Sequence, residues 1–275
     1  MEDFSKARKM LADADAIIVT AGNGMAQVEG LDMLSQEQFA CNFPMLVQKE
    51  NILTVGDALD KKFSSWQEQW LLWSVLIQKY SLDYHPSKAM LQLANIIGRK
   101  KYFIATATFG HFFEKAGFNE KRIFNVFGDW TKMQCSSGIN HGQRDDVSEV
   151  RNLLAAQKKG KITADLIPKC HVCGRPMEIN LPLTAHFYPD TDANTRFRWF
   201  LTGNEDNKVV FLELGVDETS PQLREPVIHL VQQFPQWSYV AADMSQEQLP
   251  VTLKQRSVVT TVGPAALLKE LELGS

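Results

Sequence analysis

Short apolar segments rich in β-branched residues recur along this chain, and several of them end at a glycine. Stretches with helical patterning separate these segments. Strands that alternate with helices are typical of a parallel sheet with helices on both faces. The pattern therefore predicts a Rossmann-like α/β fold, and a chain of 275 residues with 44% hydrophobic content can bury a sizeable core. The predicted strands lie at the start of 16–30 and in 100–108, 122–130, 208–216, 237–243 and 256–263.

Two regions interrupt this alternation. One is mostly helical by pattern, and the other contains three of the four cysteines together with Gly, Ser and Pro. No internal repeat or low-complexity linker separates them. We therefore expect a single domain over 1–275, with a Rossmann-like part at about 1–30, 96–130 and 186–275, a helical insert at about 31–95 and a zinc-ribbon module at about 131–185.

Charge and hydropathy exclude several partners. The net charge of −3 and the pI of about 6.1 give no electrostatic reason to expect nucleic acid. No apolar run approaches the ~20 residues that a membrane-spanning helix needs. The first twenty residues lack the basic-then-apolar order of a secretion signal. We therefore expect a cytoplasmic protein with neither a nucleic-acid nor a membrane partner.

The cysteines predict a metal site. Cys170 and Cys173 form a Cys-x-x-Cys turn in "PKCHVCGRPM", which aims two thiolates at one point and supplies half of a tetrahedral zinc site. Cys135 lies upstream at a separation that a small zinc ribbon could bridge. A redox pair or two idle thiols is the alternative. Cys41 stands alone and is expected in the core.

The stretch "AIIVTAGNGMAQVEG" at 16–30 carries an apolar strand into a glycine-rich turn and then a helix. Its spacing is Gly22-x-Gly24-x5-Gly30, which departs from the usual GxGxxG. Backbone N–H groups in such a turn can hold a pyrophosphate. A plain strand–helix turn is the alternative.

In order along the chain, these features resemble a sirtuin over about residues 14–270. The glycine turn is followed by "EKAGF", by a strand ending in "FGD", by "CGRPMEINL" in the ribbon and by "LELGV". The likeness is closest to the macrodomain-linked (class M) microbial sirtuins, which share "KAGF", a "GDY/GDW" and "LELGV" with a "TP…R-x-P" sequel. Here that sequel runs from Thr219-Ser220-Pro221 to Arg224-Glu225-Pro226.

The resemblance implies NAD or ADP-ribose as ligand and zinc in the ribbon. Members of this group resemble protein ADP-ribosyltransferases that act on lipoylated carrier proteins, and other sirtuins are lysine deacylases. Both begin by breaking the nicotinamide–ribose bond of NAD.

This sequence departs from the sirtuin pattern at the working positions. Sirtuins have a Thr-x-Asn-x-Asp run where this chain reads Thr106 to Gly110. The resemblance places Thr108 at the ribose-positioning Asn and Gly110 at the Asp that orders the cofactor. Phe127 takes the place of the general base, and a phenyl ring cannot accept a proton. His111, beside the missing carboxylate, is the candidate replacement base.

The resemblance also implies that the frame for ADP-ribose is retained. Glycines at the turn and at the end of "LELGV" leave room for phosphates, and Asp243 could take the adenosine-ribose role of the family's Asn. The expected nucleotide-binding residues are Gly22, Asn23, Gly24, Gly30, Thr106, Gly215 and Asp243.

The fourth zinc ligand is also inferred from the resemblance. The macrodomain-linked group has a Cys-His pair after its first ligand, and here the pair reads Asn140-His141. Imidazole is a good zinc ligand, whereas His171 is expected to point away from the Cys-x-x-Cys turn. Loss of zinc, with the ribbon held by packing, is the alternative. The expected ligand set is Cys135, His141, Cys170 and Cys173.

Three functional hypotheses follow. The leading one is a diverged sirtuin relative that binds NAD or ADP-ribose with weak or no transferase activity, as a sensor or as the partner of an active enzyme. The second is an active ADP-ribosyltransferase or deacylase that uses substituted groups such as His111. The third is an interaction module whose nucleotide pocket is closed by Phe109, Phe112 and Phe127.

Overall fold

A six-stranded parallel sheet forms the centre of the molecule. The computed structural model describes residues 4–183, 187–216 and 221–273. In the large sheet the strand order is β3-β2-β1-β7-β8-β9, and all neighbours are parallel. The strands are β1 (Ala16–Ala21), β2 (Lys101–Thr106), β3 (Ile123–Asn125), β4 (Asp129–Cys135), β5 (Arg144–Asp145), β6 (Met177–Asn180), β7 (Val209–Leu214), β8 (Ser238–Ala241) and β9 (Ser257–Val259).

Helices connect these strands and fill the insert. Ser35, Thr54, Ser65 and Ser87 each cap a helix by accepting a hydrogen bond from a backbone N–H of the first turn. No helix in the described part of the chain is long and apolar enough to cross a membrane. The helices are α1 (Ser5–Asp13), α2 (Asn23–Val28), α3 (Gln36–Asn42), α4 (Pro44–Glu50), α5 (Val55–Asp60), α6 (Trp66–Ile77), α7 (Lys88–Ile97), α8 (Phe112–Lys115), α9 (Val147–Lys158), α10 (Thr191–Thr202), α11 (Pro221–Gln233) and α12 (Pro264–Glu272).

Both faces of the large sheet are covered. All six residues of β1 are buried. Ile17 and Val19 belong to the larger hydrophobic core, whereas Ala16 and Ile18 belong to a second core on the opposite face. This alternation is expected because successive strand side chains point to opposite faces. The fold class predicted from the sequence is confirmed.

The strand order positions the site. From β1 the chain continues to β2 on one side, and from β7 it continues to β8 on the other side. The order therefore reverses between β1 and β7, and a crevice forms beyond the carboxyl ends of these two strands. Gly22 directly follows β1 and Gly215 directly follows β7, so both glycines lie at this crevice.

The sequence pattern predicted one strand over 122–130, and this prediction is wrong. Strand β3 ends at Asn125, and β4 starts at Asp129 in a separate antiparallel sheet with the order β5-β4-β6. Gly128 between them has φ +85°, and a Cβ there would lie 2.1 Å from the carbonyl oxygen of Asn180. The chain therefore changes sheet at a glycine, and Phe127 lies on the turn.

Candidate nucleotide cleft and metal centre

The glycine turn after β1 packs directly against the end of β7. The N–H of Gly22 donates to the carbonyl of Leu214 at 3.0 Å, and the N–H of Gly24 donates to the carbonyl of Gly215 at 2.9 Å. A Cβ at Gly22 would lie 2.4 Å from the Gly215 oxygen, and one at Gly24 would lie 2.7 Å from the Gly215 Cα. These two glycines therefore permit close backbone packing, and their N–H groups are already paired rather than presented to a pyrophosphate.

The other expected frame residues lie around this contact or just beyond it. Gly215 has φ +64°, and a Cβ there would lie 2.4 Å from the Met25 nitrogen. Asp243 is exposed beyond β8, and its Oδ2 lies 3.1 Å from the position that a Gly24 Cβ would take. Gly30 has φ +88° and no atom within 4 Å of its Cβ position. It ends the turn after α2, so its conformation rather than a close contact requires glycine.

A cleft of about 470 Å³ opens beside this turn. It brings together three residues that the sequence analysis singled out, namely Asn23, Phe109 and Phe127. The helical insert contributes a wall of the cleft that no local sequence pattern predicted, because such patterns do not show where an insert folds back. The remaining lining residues are Gln27, Asp32, Met33, Leu34, Gly56, Leu59, Asp60, Ala107, Leu181, Pro182 and Leu183.

The threonines at the end of β2 do not line this cleft. Thr106 and Thr108 are both buried, and their hydroxyl oxygens lie 2.7 Å apart. The Thr106 hydroxyl also accepts from the Thr108 N–H at 2.9 Å and contacts the carbonyl of Ala21 at 3.2 Å. Both hydroxyls thus make internal hydrogen bonds at the carboxyl end of β2, and neither is positioned to bind a ribose.

The space beside Gly110 is occupied by a phenyl ring. A Cβ at Gly110 would lie 2.3 Å from Cζ of Phe112. Phe112 is 1% exposed and packs against Tyr84, with ring centroids 4.8 Å apart. Of the three rings expected to close the pocket, Phe112 therefore belongs to the core. Phe109 and Phe127 line a cleft that they do not fill.

His111 faces a different cavity. Its Nδ1 lies 3.0 Å from Oδ2 of Asp129 and 3.8 Å from Oε2 of Glu114. Burial lowers the pKa of His111, but the hydrogen bond to Asp129 and the charges of Asp129 and Glu114 outweigh it and raise this pKa to about 9. An imidazole with that pKa is protonated at neutral pH and cannot accept a proton. His111 also lines a cavity separate from the nucleotide cleft, so the expected substitute base lies outside that cleft.

The four expected metal ligands meet at one point. The ligand atoms of Cys135, His141, Cys170 and Cys173 all lie within 4.8 Å of one another. The Sγ atoms of Cys135 and Cys173 are 3.4 Å apart, and Sγ of Cys170 is 3.3 Å from Nδ1 of His141. Three thiolates and one imidazole at tetrahedral spacing fit zinc.

The thiol pKa values in this cluster shift in opposite directions: burial raises the pKa of Cys135, whereas hydrogen bonds lower that of Cys170. Desolvation opposes ionisation of Cys170, but backbone N–H groups of Cys173 and Val172 donate to its sulfur and lower the thiol pKa to about 6. The thiolate is the form that binds a metal. His171 is exposed and outside the cluster, as expected. The expectation for Cys41 is wrong, because its side chain is exposed on α3.

The chain is similar to two curated proteins over most of its own length. It is 27% identical over 272 residues to a "Protein ADP-ribosyltransferase" of Staphylococcus aureus (strain Mu50 / ATCC 700699), covering 95% of this chain and 84% of that protein. It is 26% identical over 233 residues to a "Probable bifunctional ADP-ribose hydrolase/ADP-ribosyltransferase" of Fusarium oxysporum f. sp. cubense, covering 79% of this chain and 38% of that protein. No family model matches the chain.

Solved structures share the whole architecture. A crystal structure of a Sir2 homolog–NAD complex superposes with a TM-score of 0.63 at 16% identity, covering 100% of this chain and 94% of that chain. At that identity the likeness establishes the fold. The chain therefore has the sirtuin fold of the Sir2 homologues, and its two sequence relatives are consistent with a sirtuin-family protein.

Proposed function

We propose that this chain is a diverged sirtuin-fold protein that binds ADP-ribose or NAD beside β1 and β7 and has weak or no transferase activity. Three findings support it: the cleft at the point where the strand order reverses, the NAD complex of a protein with the same fold, and the names of the two relatives. The cleft also argues against a closed interaction module.

The observation that carries the proposal is the apolar character of one wall of the cleft. Phe127 and Phe109 line the cleft where the sirtuin resemblance places a base and the cofactor run. The Thr108 hydroxyl points into the sheet edge, and the Phe112 ring occupies the space beside Gly110. Loss of a general base alone typically costs about 10²–10⁴-fold in rate. The losses of the general base, the ribose-positioning amide and the cofactor-ordering carboxylate are not additive in free energy, but each removes a different contribution to catalysis.

The same wall sets a preference between ligands. A carboxamide left unpaired in an apolar environment costs about 1–3 kcal/mol. NAD carries such a group on its nicotinamide and ADP-ribose does not. We therefore expect ADP-ribose to bind roughly 5–150 times more tightly than NAD, since about 1.4 kcal/mol corresponds to a factor of ten.

Titration calorimetry on the full chain tests this preference. Phe127→Gln adds a polar partner and should narrow the difference between the ligands. Phe127→Leu keeps the wall apolar and is the matched control. Equal or stronger binding of NAD by the unmodified protein contradicts the preference. Absence of binding of either ligand at millimolar concentration contradicts the proposal itself.

A second candidate is an active ADP-ribosyltransferase, favoured by the 27% identity to a protein of that name across 95% of the chain. Two carboxylates in the cleft, Asp32 and Asp60, are the acid–base groups open to it. Oδ1 of Asp32 accepts hydrogen bonds from the N–H groups of Leu34 and Ser35, which makes Asp60 the freer side chain. The test is nicotinamide release from NAD with a lipoylated carrier protein as acceptor, measured for the unmodified protein and for Asp60→Asn. Release that is lost in Asp60→Asn would favour this candidate.

A further inference from the structure

A second group of metal-ligating side chains lies outside the nucleotide cleft and the cysteine cluster. His111, Glu114 and Asp129 border a cavity of about 360 Å³ that shares no described lining residue with the cleft. His111 precedes α8, Glu114 lies on α8, and Asp129 begins β4. Three separate positions on the chain therefore converge on one point.

The distances within this group match those between ligands of one ion. One ligand atom from each residue lies within 4.8 Å of the other two. Nδ1 of His111 is 3.0 Å from Oδ2 of Asp129 and 3.8 Å from Oε2 of Glu114. Adjacent ligands bound at about 2.1 Å at right angles are separated by about 3.0 Å, so these atoms can share a cation with little movement.

Neighbouring groups hold each carboxylate by its other oxygen. The N–H and hydroxyl of Thr131 both donate to Oδ1 of Asp129 at 2.7 Å. The Asn125 amide donates to Oε1 of Glu114 at 3.1 Å. These contacts leave Oδ2 and Oε2 directed at His111. Orientation of ligating carboxylates by such hydrogen bonds is typical of metal sites.

Glu114 supplies an independent indication of a ligand. Its side chain is 7% exposed, and its buried Oε2 accepts no hydrogen bond from the described residues. A protonated His111 bridging the two acids accounts for the contact with Asp129. It leaves Oε2 of Glu114 at 3.8 Å, which is beyond hydrogen-bond distance. A buried carboxylate oxygen without a partner requires an explanation, and an ion is one.

We propose that His111, Glu114 and Asp129 form a divalent-cation site distinct from the cysteine cluster. One imidazole and two carboxylates suit Mn²⁺, Fe²⁺ or Zn²⁺, with water from the cavity completing the coordination. Binding of the cation displaces the proton from Nδ1 of His111, because only the neutral imidazole nitrogen is a ligand. Five carboxylates and three lysine or arginine side chains line the cavity, which favours a cation.

A titration of Mn²⁺ into full-length, zinc-loaded protein at pH 8, followed by electron paramagnetic resonance, tests the site. Mn²⁺ is used because it prefers oxygen and imidazole ligands to thiolates. We expect one saturable site, at least tenfold weaker binding in Glu114→Gln, and about 10–100-fold weaker binding in Asn125→Ala. Asp145→Asn is the matched control, because Asp145 lines the same cavity but is exposed and paired with Lys132. It should leave the affinity unchanged.

Three outcomes overturn the proposal. The first is that Mn²⁺ shows no saturable binding and that Co²⁺ and Zn²⁺ each bind at no more than the one ion per chain that the cysteine cluster accounts for. The second is unchanged affinity in Glu114→Gln, a nearly isosteric change that removes the charge while the protein stays folded. The third is equal weakening in Asp145→Asn, which would indicate a diffuse electrostatic effect.

Discussion

The ring of Phe112 should make any side chain at Gly110 costly. A Cβ there would lie 2.3 Å from Cζ and 2.6 Å from Cε2 of Phe112, whereas ordinary contacts begin at 3.4 Å. Phe112 is 1% exposed and packed against Tyr84, so its ring has no free path to solvent. Gly110 does not have a positive φ, so the clash and not the backbone conformation sets the cost. Overpacking of this kind typically costs about 1–3 kcal/mol, which we expect for Gly110→Ala.

A double-mutant cycle with Phe112→Ala, measured by urea unfolding, isolates this contact. Phe112→Ala alone should cost about 3–5 kcal/mol, and in that background Gly110→Ala should cost almost nothing. The matched control is Gly56→Ala, whose Cβ would meet only ordinary contacts of 3.4 Å and 3.6 Å. That change should be neutral or stabilising by up to about 1 kcal/mol. The reasoning is refuted if the effects of Gly110→Ala and Phe112→Ala add within about 0.5 kcal/mol.

The close approach of Phe112 to Gly110 also limits what a substitution can restore at this position. The sirtuin resemblance places a carboxylate at Gly110, and here a core ring occupies that space. Gly110→Asp alone should therefore destabilise the protein rather than restore cofactor chemistry. Restoration would require a smaller residue at Phe112 as well.

Three further predictions concern the rest of the molecule. Cys170→Ser or chelation should remove about one bound zinc per chain and lower the melting temperature, while His171→Ala should change neither; folded, metal-free protein would contradict this. Burial and neighbouring carboxylates hold the pKa of Asp146 well above its usual range. The unfolded state ionises near pH ~4, so native stability is lost as the pH rises from there toward the raised pKa. Asp146→Asn should therefore stabilise the protein more at pH 7 than at pH 4, and an equal gain would count against it. Arg224→Met should cost about 3–5 kcal/mol, because it leaves the fully buried Glu213 carboxylate without its 2.7 Å partner; a loss under ~1 kcal/mol would refute this.

The sequence was sufficient for features that depend on local patterns. The alternation of apolar strands with helical stretches predicted a sheet covered on both faces, and the burial of all six β1 residues agrees with it. The metal ligands were also accessible, because the Cys-x-x-Cys turn and the position of Cys135 indicated a zinc ribbon and the sirtuin resemblance supplied His141. In the sequel to "LELGV", Thr219 and Ser220 lie outside the described residues.

Features that depend on distant contacts were not accessible. The change of sheet at Gly128 depends on a contact with Asn180, 52 positions along the chain. The cleft wall that includes Asp60 depends on how the helical insert folds back onto the turn after β1. The direction of His111 depends on its φ of 61°, which no pattern of residue types specifies. In each case a long-range contact or a single backbone angle decides the geometry.

Nicotinamide release from NAD, measured by chromatography with a lipoylated carrier protein and with acyl-lysine peptides as acceptors, tests the central claim most directly. A typical enzyme turns over at about 10 s⁻¹, and loss of a general base alone lowers the rate by about 10²–10⁴-fold. With Phe127, Thr108 and Gly110 at the working positions, we predict turnover below about 0.1 s⁻¹ with every acceptor. Turnover within the ordinary range of about 1–10³ s⁻¹ would contradict the account.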